Sequence, residues 1–256
     1  MRIVSDKPGQ VMTLLREKFA VDDCIVRSGM LYVTAFACLF LAAIQSQGAY
    51  MRSGAIFVQD SVVLNVGRVW LFWQIASLFA VGLFCASEFT NGTIRLPAGI
   101  GRSRTSVYLS GLFAASVIST FILLTVSLGV GVICFIVSGT GGAALGEALL
   151  LWAVYVGKAI LLHLPYASIF LMLAFLSCDP ALSIILNFIT VMALAVGPNY
   201  IAMIAGGKYQ YLIQYFPNYA IGAENENFLL GFAVSVAWTV AAATIGCFVF
   251  SKEDIK

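Results

Sequence analysis

The chain has 256 residues, of which 61% are hydrophobic and 10% are charged, with a formal net charge of +2. Soluble domains are about 45–50% apolar and about 25% charged, and a globule of this size still needs a polar surface, so one soluble core cannot bury this excess. The composition therefore predicts an all-α polytopic membrane protein. The small, distributed positive charge argues against nucleic acid as a partner.

The first 27 residues form a polar segment with apolar side chains at helical spacing. This pattern predicts an amphipathic helix that lies at the membrane surface. An irregular, solvated tail is the alternative. The apolar positions are Val11, Leu14, Leu15 and Phe19, and the polar positions between them are Arg16, Glu17 and Lys18.

Six apolar runs follow, and each is near the roughly 20 residues that a bilayer crossing requires. Without water in the hydrocarbon core, each run must be a helix to satisfy its own backbone. An even number of crossings places both termini on the same side. The runs are 28–46, 69–87, 107–137, 148–177, 181–204 and 228–250.

Basic residues decide the orientation of these six crossings. Ten Lys and Arg residues fall on the side that holds both termini and the loop 88–106, and three fall on the opposite side. Because cytoplasmic loops carry the excess of basic residues, the termini and this loop are predicted to be cytoplasmic. The whole chain, 1–256, is then one transmembrane domain of the cell membrane.

Three short loops are predicted on the outer side: 47–68, 138–147 and 205–227. The last contains several aromatic residues, which are typical of the membrane–water interface. We expect it to lie on the outer surface of the membrane. The aromatic residues are Tyr209, Tyr211, Tyr215, Phe216 and Tyr219.

Two of the runs contain proline. The run 148–177 includes Pro165, and it is either one tilted, kinked helix or a surface segment, 143–157, followed by a crossing that starts near Lys158. The run 181–204 contains Gly197-Pro198-Asn199. Proline removes a helix hydrogen bond and disfavours the α conformation of the residue before it, so this crossing is expected to end or break there.

Lys158 and His163 are the candidate ionisable groups at membrane depth, where such residues are often functional. A spacing of five residues puts them about 140° apart on a helix, so they do not share a face. In one interpretation they line the pathway of a secondary transporter driven by an ion gradient, and in another His163 is the base of a membrane enzyme. In the simplest interpretation Lys158 reaches the outer interface and His163 bonds a nearby carbonyl.

Other chemistry finds little support in the sequence. The chain has a single histidine, which rules out HExxH-type zinc sites, and the cysteines lack metal-ligand spacing. It has no GxxxxGK[ST] motif, so it does not bind ATP through a P-loop. We predict no catalytic residue, no metal site and no cofactor in this chain.

The longest polar interruption is the loop after the second crossing. Ser87 is placed to cap a short helix that begins at Glu88, where an acidic residue is favourable in the first turn. Gly92 and the following Pro97-to-Gly101 stretch would end it. Arg102 and Arg104 then lie where the third crossing begins, and they either fix the topology and touch lipid phosphates or take part in function.

This loop resembles that of a known family. Glu88-Phe89-x-x-Gly92-Thr93-Ile94-Arg95, followed by Gly101-x-Ser103-Arg104 and Tyr108, is similar to the loop between the second and third helices of ABC-2 type transporter permeases. The six crossings and the charged tail 250–256 are similar to members that confer bacitracin and lantibiotic resistance. The chain departs from the family where Ser110 is followed by Gly111, since a lysine is frequent there.

The resemblance implies a cytoplasmic coupling helix between helices 2 and 3 that rests on a separate nucleotide-binding ATPase subunit, which holds ATP and Mg. It implies that residues 10–24 help to hold this contact, and that a second permease, identical or a sibling, completes the pathway. It also implies that this chain is not itself an enzyme and that the substrate is exported. The absence of charged pathway residues and of an ectodomain predicts a hydrophobic or amphipathic substrate, such as a peptide antibiotic, drug or lipid. The implied coupling residues are Glu88, Gly92, Thr93 and Arg95, and the residues that anchor the loop to lipid headgroups are Arg102 and Arg104.

Overall fold

A computed structural model of the chain describes residues 59–90, 103–138, 145–204, 210–217 and 228–252. These residues form five α-helices and one short 3-10 helix, and they include no strand. The helices are α1 (Gln59–Thr90), α2 (Arg104–Ser138), α3 (Leu145–Ser177), α4 (Pro180–Ile204), the 3-10 helix (Gln210–Tyr215) and α5 (Phe228–Lys252).

Four of these helices contain a segment long and apolar enough to cross a membrane, and α1 contributes a shorter apolar stretch, Trp73–Ala86. The prediction of a helical membrane protein is therefore confirmed at this level. The first apolar run, 28–46, and the amphipathic segment, 1–27, lie outside the described residues, so the six-crossing count and the side of the termini stay predictions. The membrane-length segments are Arg104–Gly129, Trp152–Ser177, Pro180–Pro198 and Phe228–Lys252.

Helix α1 begins earlier than the sequence predicted. The range 47–68 was expected to be a loop, but its last ten residues belong to α1, which starts at Gln59 and has 32 residues. A helix of this length measures about 48 Å, which exceeds the roughly 30 Å of a hydrocarbon core. The prediction was wrong because a helix satisfies its own backbone beyond the membrane, so polar side chains do not end it.

Helix α3 is the centre of the described bundle, because it packs against each of the other four α-helices and most extensively against α5. The two helices run in the same direction. The Ser235 hydroxyl donates to the Leu162 carbonyl at 3.4 Å, and the Ser168 hydroxyl donates to the Thr239 carbonyl at 3.1 Å. Hydrogen bonds of this kind hold membrane helices together where the hydrophobic effect between them is weak.

Both prolines lie inside continuous helices. Helix α3 runs through Pro165 without interruption, which selects the single long helix over two pieces. Helix α4 runs through Pro198 to Ile204, so the expected break at Gly197-Pro198-Asn199 was wrong. Part of the clash that proline imposes involves the Cβ of the preceding residue, and Gly197 has none. In lipid, a broken helix would also expose more unpaired backbone than one proline does.

The turn between α3 and α4 consists of Cys178 and Asp179. The Asp179 carboxylate accepts a hydrogen bond from the Leu182 backbone N–H at 2.8 Å, and Pro180 follows at the first helical position, so α4 begins with a well-formed N-cap. Cys178 has a φ of 51° and its N–H donates to the Ala174 carbonyl at 3.1 Å. It therefore ends α3 in the left-handed conformation that glycine usually adopts.

We expect substitutions of Cys178 to follow this backbone conformation. A β-branched side chain is strained in the left-handed region, so Cys178→Val should lower the free energy of unfolding by roughly 1 kcal/mol. Cys178→Gly should leave it unchanged or raise it. The midpoints of thermal unfolding in detergent measure the difference, and equal midpoints for the two variants would contradict the assignment.

The short 3-10 helix belongs to the segment 205–227. The Tyr215 carbonyl accepts a hydrogen bond from the Trp238 indole N–H at 2.9 Å, and the rings of Phe216 and Trp238 lie 6.4 Å apart. Trp238 is ten residues into α5, or about 15 Å from its first residue, so the end of the 3-10 helix lies beside the middle of α5. Its location at the outer membrane surface stays a prediction.

Candidate functional site

The end of the bundle that holds Phe175, where α1, α3 and α5 end and α2 begins, is called the Phe175 end here. Glu88 lies at this end, half-buried in the last turn of α1. The prediction that Ser87 caps a separate helix was wrong, since α1 is continuous through Thr90 and an N-cap needs a non-helical backbone. The other predicted residues of this loop lie outside the described part of the chain: Gly92, Thr93, Arg95 and Arg102.

Four aromatic side chains meet at the Phe175 end, one from each of α1, α2, α3 and α5: Phe89, Tyr108, Phe175 and Phe250. We call them the aromatic cluster. Phe175 is at its centre, with ring centroids 5.1 Å from Phe89, 5.1 Å from Tyr108 and 4.8 Å from Phe250. All three pairs are edge-to-face, an arrangement that stabilises by about 0.5–1.5 kcal/mol per pair beyond burial.

The start of α2 is fixed by two hydrogen bonds. The Ser103 hydroxyl accepts from the Ser106 backbone N–H at 3.3 Å, which caps the helix. The Arg104 guanidinium donates to the Ser251 carbonyl at 3.2 Å, so the first turn of α2 is joined to the last turn of α5. Arg104 thus has a partner within the protein, and its predicted contact with lipid headgroups stays a prediction.

Tyr108 also closes the α2–α5 interface. Its hydroxyl packs so closely on Gly246 of α5 that a Cβ at Gly246 would clash with the Tyr108 hydroxyl and ring. Tyr108 and Gly246 are both buried. Glycine is therefore required at position 246, because only a missing side chain lets the tyrosine approach the α5 backbone.

The contacts at the Phe175 end restrict how the predicted coupling loop can move relative to the bundle. The residues before it, through Phe89, and those after it, through Arg104 and Tyr108, both contact α3 or α5 directly. A displacement of the loop cannot move the ends of α1 and α2 without disturbing Phe175 and Phe250. The two ends of this loop are therefore joined to the central helix α3 and to α5 through side-chain contacts.

Lys158 and His163 are not brought together. Lys158 is exposed, with its ammonium 5.5 Å from the centre of the Phe228 ring at the start of α5. His163 is buried, where its Nδ1 lies 2.6 Å from the Ile160 carbonyl and its Nε2 lies 3.5 Å from the Thr120 hydroxyl. As the spacing predicted, the two side chains lie on different faces of α3.

Sequence reasoning missed a group of buried polar residues between the helices. Gln74 lies beside Tyr166, and the Trp73 ring meets His163 edge-to-face at 5.4 Å. On the other side of α1, the Asn187 amide donates to the Ser183 hydroxyl at 3.4 Å, where both pack on Gly82. A polar residue inside an apolar run was the available signal, since such side chains often join membrane helices.

Metal chemistry has no support in the described residues. No group of three or more His, Cys, Asp or Glu side chains among them is placed to hold a metal ion.

The chain matches no protein-family model and no curated protein. The family resemblance therefore depends on the loop motif and on the architecture of the chain.

Proposed function

We propose that this chain is the membrane-spanning permease subunit of an ATP-driven exporter of the ABC-2 type. The observation that carries the proposal is the motif that begins at Glu88 in the last turn of α1 and precedes α2. Phe89 in this motif and Tyr108 after it both contact the Phe175 ring, and Arg104 bonds the Ser251 carbonyl of α5. A loop that receives force from a partner needs such contacts, because an exposed loop without contacts to the bundle passes little of that force to the helices.

The proposed partner is a nucleotide-binding ATPase subunit, and ATP with Mg binds there and not in this chain. Closure of that subunit would displace the coupling loop, and Phe175 would pass the displacement to α3. Because α3 contacts the other four described α-helices, one displacement there can change the packing of the whole bundle. Such coupling requires contacts that differ between the two states of the transporter.

The proposed substrate is hydrophobic or amphipathic, such as a peptide antibiotic, a drug or a lipid. This proposal is supported by the scarcity of charged residues in the membrane-length helices. A second permease, identical or a sibling, would complete the pathway in the cell membrane, and antibiotic resistance is one role that such an exporter serves. The described contacts of Lys158 and His163 give little support to a gradient-driven transporter or to a membrane enzyme, since the two side chains share no surface.

The test is purification of the tagged chain from its native cells, for the wild type and for the double variant Glu88→Ala plus Arg95→Ala. We expect an ATPase subunit to co-purify with the wild type and to be reduced at least tenfold in the double variant. Mass spectrometry of the bound proteins and ATP hydrolysis are the measurements. Glu147→Ala is the control, because Glu147 is exposed in the first turn of α3 at the opposite end.

Intact wild-type protein without an ATPase subunit would refute the exporter proposal. Loss of a gradient-driven flux in Lys158→Ala would then favour the secondary transporter. Loss of turnover in His163→Ala, with assembly intact, would favour the enzyme.

A further inference from the structure

An open groove runs along the outside of the bundle between the start of α2 and the end of α5. It has a volume of about 360 Å³, which lies within the roughly 300–1,000 Å³ of ligand sites. Its walls are mostly apolar, with small hydroxyl and thiol side chains. Two of its residues, Leu109 and Phe248, are more than half exposed, so the groove faces the surroundings of the bundle. Wall residues include Thr105, Leu109, Thr244, Cys247, Phe248 and Ser251.

Two basic side chains lie at one end of this groove. Arg104 precedes the wall residue Thr105, and its guanidinium is bonded to the carbonyl of the wall residue Ser251. Lys252 follows Ser251, is exposed, and holds its ammonium 4.1 Å from the centre of the Phe248 ring. A lysine near a helix C-terminus often donates hydrogen bonds to the last backbone carbonyls. The Lys252 ammonium lies over the Phe248 ring, which is part of the groove wall.

We propose that this groove binds one anionic phospholipid, with an acyl chain along the wall and the phosphate beside Arg104 and Lys252. Basic sites between helices on the cytoplasmic side recognise anionic headgroups, and the Phe175 end is the predicted cytoplasmic end. From Ala243 to Ser251 the groove follows nine residues of α5, whose first and last lie about 12 Å apart, so it accommodates part of one acyl chain. The acidic groups described at this end, Glu88 and Asp179, are on α1 and in the α3–α4 turn and do not line the groove.

Charge complementarity selects this occupant over a neutral lipid or an apolar helix. A neutral lipid or helix would fill the apolar wall without using the Lys252 ammonium at its end. The Arg104 guanidinium, which also bonds the Ser251 carbonyl, adds positive charge beside it. A soluble anion would use the cations without the wall. The proposal is independent of the transport function, because it requires only the described contacts of α2 and α5 and the predicted orientation of the Phe175 end in the membrane.

The test is native mass spectrometry of the detergent-purified chain titrated with phosphatidylglycerol or phosphatidylcholine. We expect the first phosphatidylglycerol to bind more tightly than phosphatidylcholine. A basic residue near a membrane surface contributes about 1 kcal/mol to binding an anionic lipid, so Lys252→Gln should raise the Kd for phosphatidylglycerol about fivefold. Lys252→Arg should leave the Kd near that of the wild type. The matched control is Lys158→Gln, which removes another exposed lysine beside a phenylalanine ring and should have no effect.

A second pair of variants tests the wall. Thr244→Phe fills the groove and should weaken binding of the first phosphatidylglycerol at least threefold, whereas Val240→Phe, one turn away and also exposed, should not. Glycerol 1-phosphate, which carries a phosphate charge but no acyl chains, should not displace the lipid. Equal affinities for the two lipids, an unchanged Kd in Lys252→Gln and Thr244→Phe, or displacement by glycerol 1-phosphate would each overturn the proposal.

Discussion

Among glycine-to-alanine substitutions in the described residues, Gly246→Ala is expected to destabilise the bundle most. The new Cβ would overlap the Tyr108 hydroxyl and ring. Tyr108 cannot turn away freely, because it is fully buried and its ring is held against Phe175 at 5.1 Å. Helices α2 and α5 must therefore separate, and overpacking of this kind costs about 1–3 kcal/mol or more.

The midpoint of thermal unfolding in detergent measures this loss, and Gly157→Ala is the matched control. A Cβ at Gly157 of α3 meets nothing within 4 Å, so that variant should retain or exceed the wild-type midpoint, since alanine favours the helix. In the Tyr108→Ala background, Gly246→Ala should cause little further loss, because the clashing ring is gone. Equal effects of Gly246→Ala with and without Tyr108 would show that the contact is not the cause.

Phe175→Ala is expected to have the second large effect. The substitution removes three edge-to-face ring pairs, each contributing about 0.5–1.5 kcal/mol, and leaves a cavity among four helices. A loss of roughly 3 kcal/mol in the free energy of unfolding follows, in the range measured for buried Phe→Ala changes. Packing carries this energy in a membrane protein, because lipid gives little hydrophobic drive for helices to associate.

Phe188→Ala is the control for this variant, because Phe188 of α4 is 43% exposed and is not part of the aromatic cluster. Its midpoint should change little. Phe175→Leu should lie between the two, since it fills much of the cavity without the ring contacts. If Phe175→Ala and Phe188→Ala unfold at the same temperature, the aromatic cluster does not hold the Phe175 end together.

The positions of the helices were largely predictable from the sequence. The starts and ends of α2, α4 and α5 agree with the apolar runs within three residues, because a membrane crossing needs a continuous apolar segment. The turn at Cys178 and Asp179 lies in the short gap between the runs 148–177 and 181–204. The errors came where a local signal was overruled: Pro198 did not break α4, and polar residues before 69 did not end α1.

The residues at the Phe175 end also fall into two groups: those that the sequence indicated and those that only the structure revealed. Arg104 and Glu88 were predicted as site residues next to apolar runs; the structure places both at the Phe175 end, and their functional roles stay predictions. The aromatic cluster was not predicted, since Phe89, Tyr108, Phe175 and Phe250 are common residues that are far apart in the chain. Nor did the sequence reveal that the guanidinium of Arg104 reaches the Ser251 carbonyl, 147 positions away along the chain.

The sequence by itself determined that this protein is built from apolar helices and where its polar loop lies, because solvation and helix length act on each segment separately. The tertiary structure alone decided which side chains meet. The packing of helices against one another placed Phe175 at the centre of the aromatic cluster and Gly246 in close contact with Tyr108. That packing depends on the rotation and depth of each helix, and neighbouring residues in the chain do not encode either one.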